Sequence, residues 1–138
     1  MHAELDAAVN EKYVWHGTKP DLLDIIETNG FDERVGALGG MFGAGVYFAE
    51  MCSKSDQYCT PRGGRTFPLF LSRVMLGVPF GTTSAMPQTR RPPVMADVQG
   101  RPHDSITYTP GGVNRYREFI VYDKAQTYPE YLVEYERA

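Results

Sequence analysis

The sequence predicts an α+β fold with more strand than helix, and three observations carry that reading. β-rich apolar runs occur near both ends and in the middle of the chain. Helical spacing is confined to two short stretches. No regular βαβ rhythm runs through the chain, as a parallel doubly wound sheet would require.

Taken in order, "EKYVWHG" is a short β-type run closed by Gly17. "KPDLLDIIETNG" reads as a helix. Pro20 sits in its first turn, Asp21 and Asp24 lie near its positive end, and Leu22, Leu23, Ile25 and Ile26 are expected to form one apolar face. Asn29-Gly30 supplies its stop. "FDERVGALGG" is a loop, and "MFGAGVYFAE" reads as a strand broken by glycines. Such a run is odd for a core strand, since each glycine adds backbone entropy to be lost on folding and brings no side chain to pack. "EMCSKSDQYC" makes a short helix ending near Thr60-Pro61, and "TFPLFLSRVML" is β-rich up to Gly77. From Gly81 to Asn114 the chain is rich in Pro, Gly, Thr and Ser without a clear period. A connection of that length is usually functional or partly disordered. "REFIVYDK" and "YPEYLVEYE" then alternate well enough for two strands.

At 138 residues the chain is most simply one domain. With 42% hydrophobic and 22% charged residues it has the composition of a folded protein. A formal net charge of -3 gives no electrostatic case for nucleic-acid binding. No apolar run approaches the roughly 20 residues that cross a bilayer, so no membrane partner is expected. Cys52 and Cys59 make no disulfide framework, and the N-terminus lacks the halves of a signal peptide. The expected location is therefore intracellular, in cytoplasm or nucleus.

Three islands stand apart: "WHGT" at 15–18, the glycine stretch with its following helix, and "REFIVYDKAQTYPEYL" at 117–132. In this order and spacing they resemble the catalytic domain of poly(ADP-ribose) polymerases. The nearest resemblance is to the tankyrase branch, which carries "GFDER", "GGMFGAG", "YFAE", "SKS", "QY" and "YPEYL" in the same sequence. The resemblance runs from Tyr13 to Glu136. It implies a lead-in over 1–12 and a catalytic domain over 13–138. The implied fold is that of ADP-ribosyltransferases, with two antiparallel-rich sheets and a few short helices around an NAD-binding cleft. The implied activity cleaves the nicotinamide–ribose bond of NAD+ and transfers ADP-ribose to protein acceptors, itself among them.

The carbon left by that cleavage resembles an oxocarbenium ion. An enzyme for it must hold a flat amide, grip riboses and place negative charge beside the cation. The resemblance assigns His16, Tyr47 and Glu118 as the catalytic set, and His16, Gly17, Thr18, Phe48, Ser55 and Tyr58 as residues that bind the co-substrate. An imidazole at His16 is suited to ribose hydroxyls, since one nitrogen donates and the other accepts. Thr18 stands where the family usually has serine. The Gly17 backbone is implied to pair with the nicotinamide carboxamide, where a side chain would crowd the ring. Tyr47 and Tyr58 are implied to flank the ring, and the Ser55 hydroxyl to donate to the amide oxygen. Pattern alone reads Tyr47, Tyr58, Phe42 and Phe48 as aromatic core and His16 as a strand-end histidine. It also reads Glu118 as a solvated charge, no better a candidate than Arg115, Arg117 or Glu130. The resemblance selects Glu118. Many relatives that transfer one unit lack that glutamate, so poly(ADP-ribose) elongation is expected. Mono-ADP-ribosylation and a silent NAD- or ADP-ribose-binding module are the alternatives.

The departures also matter. Tankyrases carry a small zinc site after the "QY" helix, whereas "CTPRGGRTFPLF" holds only Cys59, and two thiols with no nearby histidine cannot make four ligands; no metal is expected. "FDERVGALGG" is implied to line the adenosine side as a flap. Residues 81–114, where the family has its acceptor-side loop, match poorly. "MHAELDAAVNEK" leaves no room for a helical regulatory domain, so basal activity without DNA activation is expected, with nicotinamide-mimicking inhibitors as ligands.

Overall fold

The computed structural model describes residues 4–32, 40–61, 64–98, 100–111 and 116–137. The strands are β1 (Glu11–Gly17), β2 (Val46–Ala49), β3 (Thr66–Met75), β4 (Pro79–Thr82), β5 (Ser105–Tyr108), β6 (Glu118–Val121) and β7 (Thr127–Glu136). Helices α1 (Leu23–Asn29) and α2 (Cys52–Asp56) are short. The α+β class holds.

Where two sheets were expected, the described strands form one seven-stranded sheet in the order β4-β5-β6-β2-β1-β3-β7. The discrepancy has a physical origin. β1 and β3 pair over the whole of Glu11–Gly17, and β2 and β6 over the whole of Val46–Ala49. Between these halves, β1 and β2 meet only at Trp15↔Ala49. The expected sheets are thus two halves of one, joined at a single pair. Beyond that pair β1 and β2 part, leaving a fork whose strand edges are not closed by a ladder.

α1 is preceded by a 3-10 turn at Pro20–Leu22 and ends at Gly30, whose φ of 75° is unfavourable for side-chain-bearing residues. The apolar residues of this turn and helix do not share one face: Leu23 and Ile26 are buried, whereas Leu22 and Ile25 are exposed. The main core joins Leu23, Ile26 and Phe31 to Val14, Phe48, Phe70, Val74, Phe119 and Val121 of the sheet. A second cluster places Phe42 against Ile106 and Ile120. β6 is buried along its whole length because both its faces are packed, Phe119 and Val121 in the main core and Ile120 in the second cluster.

β5 and the end of β4 lie inside the stretch that showed no period, and the two strands pair in parallel from Pro79↔Ser105 to Thr82↔Tyr108. Ser105 Oγ donates to the Leu76 carbonyl at 2.8 Å, fixing β5 beside the end of β3. The last strand, β7, lies at the sheet edge, where Pro129 is tolerated. A register shift there leaves Glu130 without an opposing residue, and its carboxylate meets Arg73 at 3.0 Å. The lead-in is tied to the sheet, with the Leu76 and Gly77 N–H groups donating to the carbonyls of Asn10 and Val9. Among the described residues, no helix is long and apolar enough to cross a membrane.

Candidate active site

The fork between β1 and β2 opens into a cavity of about 420 Å³, within the ~300–1,000 Å³ typical of small-molecule sites. Its wall includes His16, Gly17, Thr18, Tyr47, Phe48, Ser55, Tyr58 and Glu118. Every site residue expected from the sequence therefore meets at one cavity. Of the flap, Asp32 lines it too, while residues 33–39 lie outside the described residues. Among the alternatives to Glu118, Arg115 also lies outside them, Arg117 pairs with Glu50 and Glu130 with Arg73.

His16 bridges the fork. Its Nδ1 lies 2.7 Å from the Tyr47 carbonyl oxygen. A carbonyl can only accept, so Nδ1 carries the proton and Nε2 of the neutral ring is an acceptor. The ring sits edge-on to Phe31 at 4.7 Å and near Phe48 at 5.5 Å. Burial among these rings lowers its pKa to about 4, against the smaller opposing pull of the Tyr47 carbonyl. The residue read as able to donate and accept therefore offers the cavity acceptance alone. Phe48 is both core and cavity wall, almost fully buried.

Tyr47 explains much of the glycine stretch. Its hydroxyl accepts from the Phe42 N–H at 2.9 Å and donates to the Gly43 carbonyl at 2.8 Å. The chain from Gly40 to Gly45 thus wraps around the phenol instead of continuing the strand, and β2 begins only at Val46. A Cβ on Gly40 would collide with that hydroxyl. Gly43 has φ of 70°, and a Cβ there would strike the backbone of Thr89. Much of the room beside this bare backbone is taken by the protein's own phenol and neighbouring loop. The result is a ring held at both ends of its hydroxyl.

Gly17 carries a similar correction. A Cβ there would overlap the Ser55 carbonyl oxygen and come within 3.0 Å of Cys59 Sγ. The glycine is required by the close seating of α2 on β1, before any ligand is considered. Ser55 is buried and its Oγ donates to the Trp15 carbonyl at 3.0 Å. One hydroxyl has one proton, so donation to a carboxamide oxygen requires it to rotate from Trp15. Tyr58 follows the helix in a turn, its N–H donating to the Ser55 carbonyl at 3.0 Å, and its side chain is half exposed at the cavity wall. Thr18, also on the cavity wall, is buried.

Glu118 is not the solvated strand-end charge that pattern suggests: it is 5% exposed. The reason is position. It opens the central strand β6, opposite Ala49 on one side and Tyr108 on the other. Burial raises its pKa, and the Lys54 ammonium opposes that rise. Lys54, on α2, was missed by sequence reasoning because a helix lysine reads as solvated. The apolar residues Ile25 and Met41 at the cavity wall were missed too. Cys59 is a buried thiol that donates to the Pro68 carbonyl at 3.0 Å. Among the described residues, no three of His, Cys, Asp and Glu are grouped to hold a metal ion.

These shifts predict a pH profile. Turnover should decline on acidification as Glu118 takes up a proton, above the pH of an ordinary glutamate, while His16 stays neutral down to about pH 4. For stability the signs are opposed. His16 binds protons more readily unfolded, so its contribution is full above its ordinary value of 6.5 and is lost as pH falls toward 4. Glu118 binds protons more readily folded, so protonation relieves its burial. NAD+ consumption from pH 8 to 4.5 reads the first effect. An acid limb unchanged in Glu118→Gln, measured on its residual rate, would assign that limb elsewhere.

Comparison with known proteins agrees with this geometry. A family model described as the poly(ADP-ribose) polymerase catalytic domain matches residues 2–137. Protein mono-ADP-ribosyltransferase PARP12 of Mus musculus is 33% identical over 92% of the chain and 17% of its own length. The Homo sapiens PARP12 is also 33% identical, over 93% of the chain and 17% of its own length. Protein mono-ADP-ribosyltransferase PARP11 of Homo sapiens is 29% identical over 92% of the chain and 42% of its own length. The chain thus spans less than half of each of these relatives. With a match from residue 2 to residue 137, and the glutamate, histidine and tyrosine of its motifs around one cavity, the chain belongs to the poly(ADP-ribose) polymerase catalytic domain family.

Proposed function

We propose that the protein is an NAD+-dependent ADP-ribosyltransferase that breaks the nicotinamide–ribose bond and transfers ADP-ribose to protein acceptors. The observation that carries this reading is the buried Glu118 carboxylate on the same cavity as His16 and Tyr47. The fork supplies the binding side. On the β2 side of Gly17 no strand pairing is made, so its backbone suits a planar carboxamide. The rings of Tyr47 and Tyr58 flank the nicotinamide, and His16 Nε2 accepts from a ribose hydroxyl. Glu118 then faces the ribose. Its negative charge offsets the positive charge that builds as the C–N bond lengthens and nicotinamide leaves neutral. The acceptor attacks the same carbon and gives up its proton.

Elongation is the finer question. Glu118 and the tankyrase-like motifs favour repeated transfer, because the carboxylate can also polarise the hydroxyl of a growing chain. The names of PARP12 and PARP11 favour a single transfer. We favour elongation on the chemistry of Glu118. Purified protein incubated with adenylate-labelled NAD+ and run on a gel tests both levels. A ladder supports elongation, a sharp band replaces it with single transfer, and no label with no nicotinamide release leaves a silent binding module.

A further inference from the structure

α2 carries Ser55 and Tyr58, yet it is only five residues long. A helix of that length has no stability of its own in water, since it barely exceeds one hydrogen-bonded turn. Something else must hold it against the cavity. Gly17 lets it approach β1, but a close approach is only a seat.

The fastening lies on the side of α2 away from the cavity. Tyr135, near the end of β7, donates its hydroxyl to Asp56 Oδ1. Arg137, just past β7, donates from Nε to the same oxygen at 3.0 Å and from Nη2 to the Asp56 backbone carbonyl at 3.0 Å. The arginine is itself held, its guanidinium lying 3.8 Å from the centre of the Phe67 ring, on which Tyr135 stacks at 5.7 Å. A lone half-exposed ion pair would contribute little. Here one carboxylate receives two charge-assisted bonds from groups pinned on a common aromatic ring, and the second arm of the guanidinium grips the helix backbone.

We propose that Asp56, Tyr135 and Arg137 form a clasp that positions the Ser55–Tyr58 wall of the cavity, making the end of β7 a determinant of nicotinamide affinity although it touches no reacting atom. This rests on reading the cavity as the nicotinamide pocket. Asp56 directly follows Ser55 in α2, and its backbone carbonyl, gripped by Arg137, also accepts from the Cys59 N–H at 3.1 Å. Release of that carboxylate therefore loosens the Ser55–Tyr58 segment, leaving it the Ser55 bond to the Trp15 carbonyl and the adjoining Cys59 bond to Pro68. The electrostatics agree with the geometry. Burial pushes the Asp56 carboxyl up, and the Tyr135 hydroxyl and Arg137 guanidinium outweigh it to hold the carboxyl below its usual range.

Three variants test the clasp: Tyr135→Phe, which keeps the stack on Phe67, and Asp56→Ala with its conservative counterpart Asp56→Asn. Each is measured for hydrogen exchange over residues 52–59, for 3-aminobenzamide affinity by calorimetry, and for the KM and kcat of NAD+ consumption. Tyr135→Phe should exchange faster over that segment and bind 3-aminobenzamide about tenfold more weakly, the loss of one strong hydrogen bond. KM should rise by the same factor while kcat stays within about twofold. Asp56→Ala should lose more, and Asp56→Asn should recover part of it. Unchanged exchange in Tyr135→Phe overturns the clasp. Faster exchange with unchanged inhibitor affinity, or a fall in kcat alone, overturns its role in binding. If the parent protein neither binds 3-aminobenzamide nor consumes NAD+, the nicotinamide reading fails, and the exchange arm still decides whether Asp56 fastens α2.

Discussion

Glu118→Gln should lose about two orders of magnitude in NAD+ turnover while retaining NAD+ affinity. Glutamine keeps the volume and a hydrogen-bonding oxygen, so the packing of β6 between β2 and β5 survives. What disappears is the negative charge beside the carbon that becomes cationic. Removal of one preorganised electrostatic partner from a water-poor site typically raises a barrier by about 3 kcal/mol. Because Glu118 is 5% exposed, solvent cannot substitute for the missing charge. The same burial raises the pKa of the native carboxyl, so charging it at neutral pH carries a desolvation cost that the glutamine avoids. The variant should therefore melt at or slightly above the parent temperature. Nicotinamide release and calorimetric NAD+ titration check the pair of expectations. Normal turnover in a folded Glu118→Gln would show that another group stabilises the transition state.

The contrast between Glu118 and Arg117 shows what sequence could and could not supply. Both are charged residues at the start of one apolar run, and local pattern cannot rank them. Their fates diverge because Arg117 precedes β6, whereas Glu118 opens it and pairs with β2 and β5. Arg117 lies outside, where Nε pairs with Glu50 at 3.0 Å, and Glu118 is enclosed by a neighbouring strand on each side. Only motif resemblance separated them beforehand. The long strands were legible for ordinary reasons: β3 and β7 are ten residues each and rich in aromatic and branched side chains. β4 and β5 were not, since "PFGT" and "SITY" are four residues each and their pairing depends on partners distant in the chain. The apolar residues of α1 were read as one face because spacing cannot tell a core from a cavity wall; Leu22 and Ile25 line the pocket. The glycines were visible as an anomaly. Their explanation, a clamped Tyr47 hydroxyl and a helix pressed onto Gly17, is a tertiary fact that no window of residues contains.

Gly17→Val should abolish 3-aminobenzamide binding and also destabilise the fold, by about 2–4 kcal/mol, in the range seen when a side chain is forced into occupied space. The strain is steric. Gly17 lies in an ordinary β-strand, where valine is comfortable as a backbone conformer. The obstacle is the first carbon of any side chain, which would overlap the Ser55 carbonyl oxygen and lie 2.9 Å from the carbonyl carbon. Those are backbone atoms and cannot swing aside as a side-chain tip would, so α2 itself must lift. Lifting α2 breaks the Ser55 bond to the Trp15 carbonyl, withdraws Tyr58 from the cavity wall and strains the thiol of Cys59 against Pro68. Gly17→Ala should show the same losses in smaller measure, because the clash begins at Cβ. Thermal melts with and without 3-aminobenzamide separate this from a simpler account. The parent should gain melting temperature with ligand, and Gly17→Val should start lower and gain none. A variant that melts with the parent yet ignores the ligand would mean that the valine points into the pocket and blocks the nicotinamide directly, leaving α2 where it was.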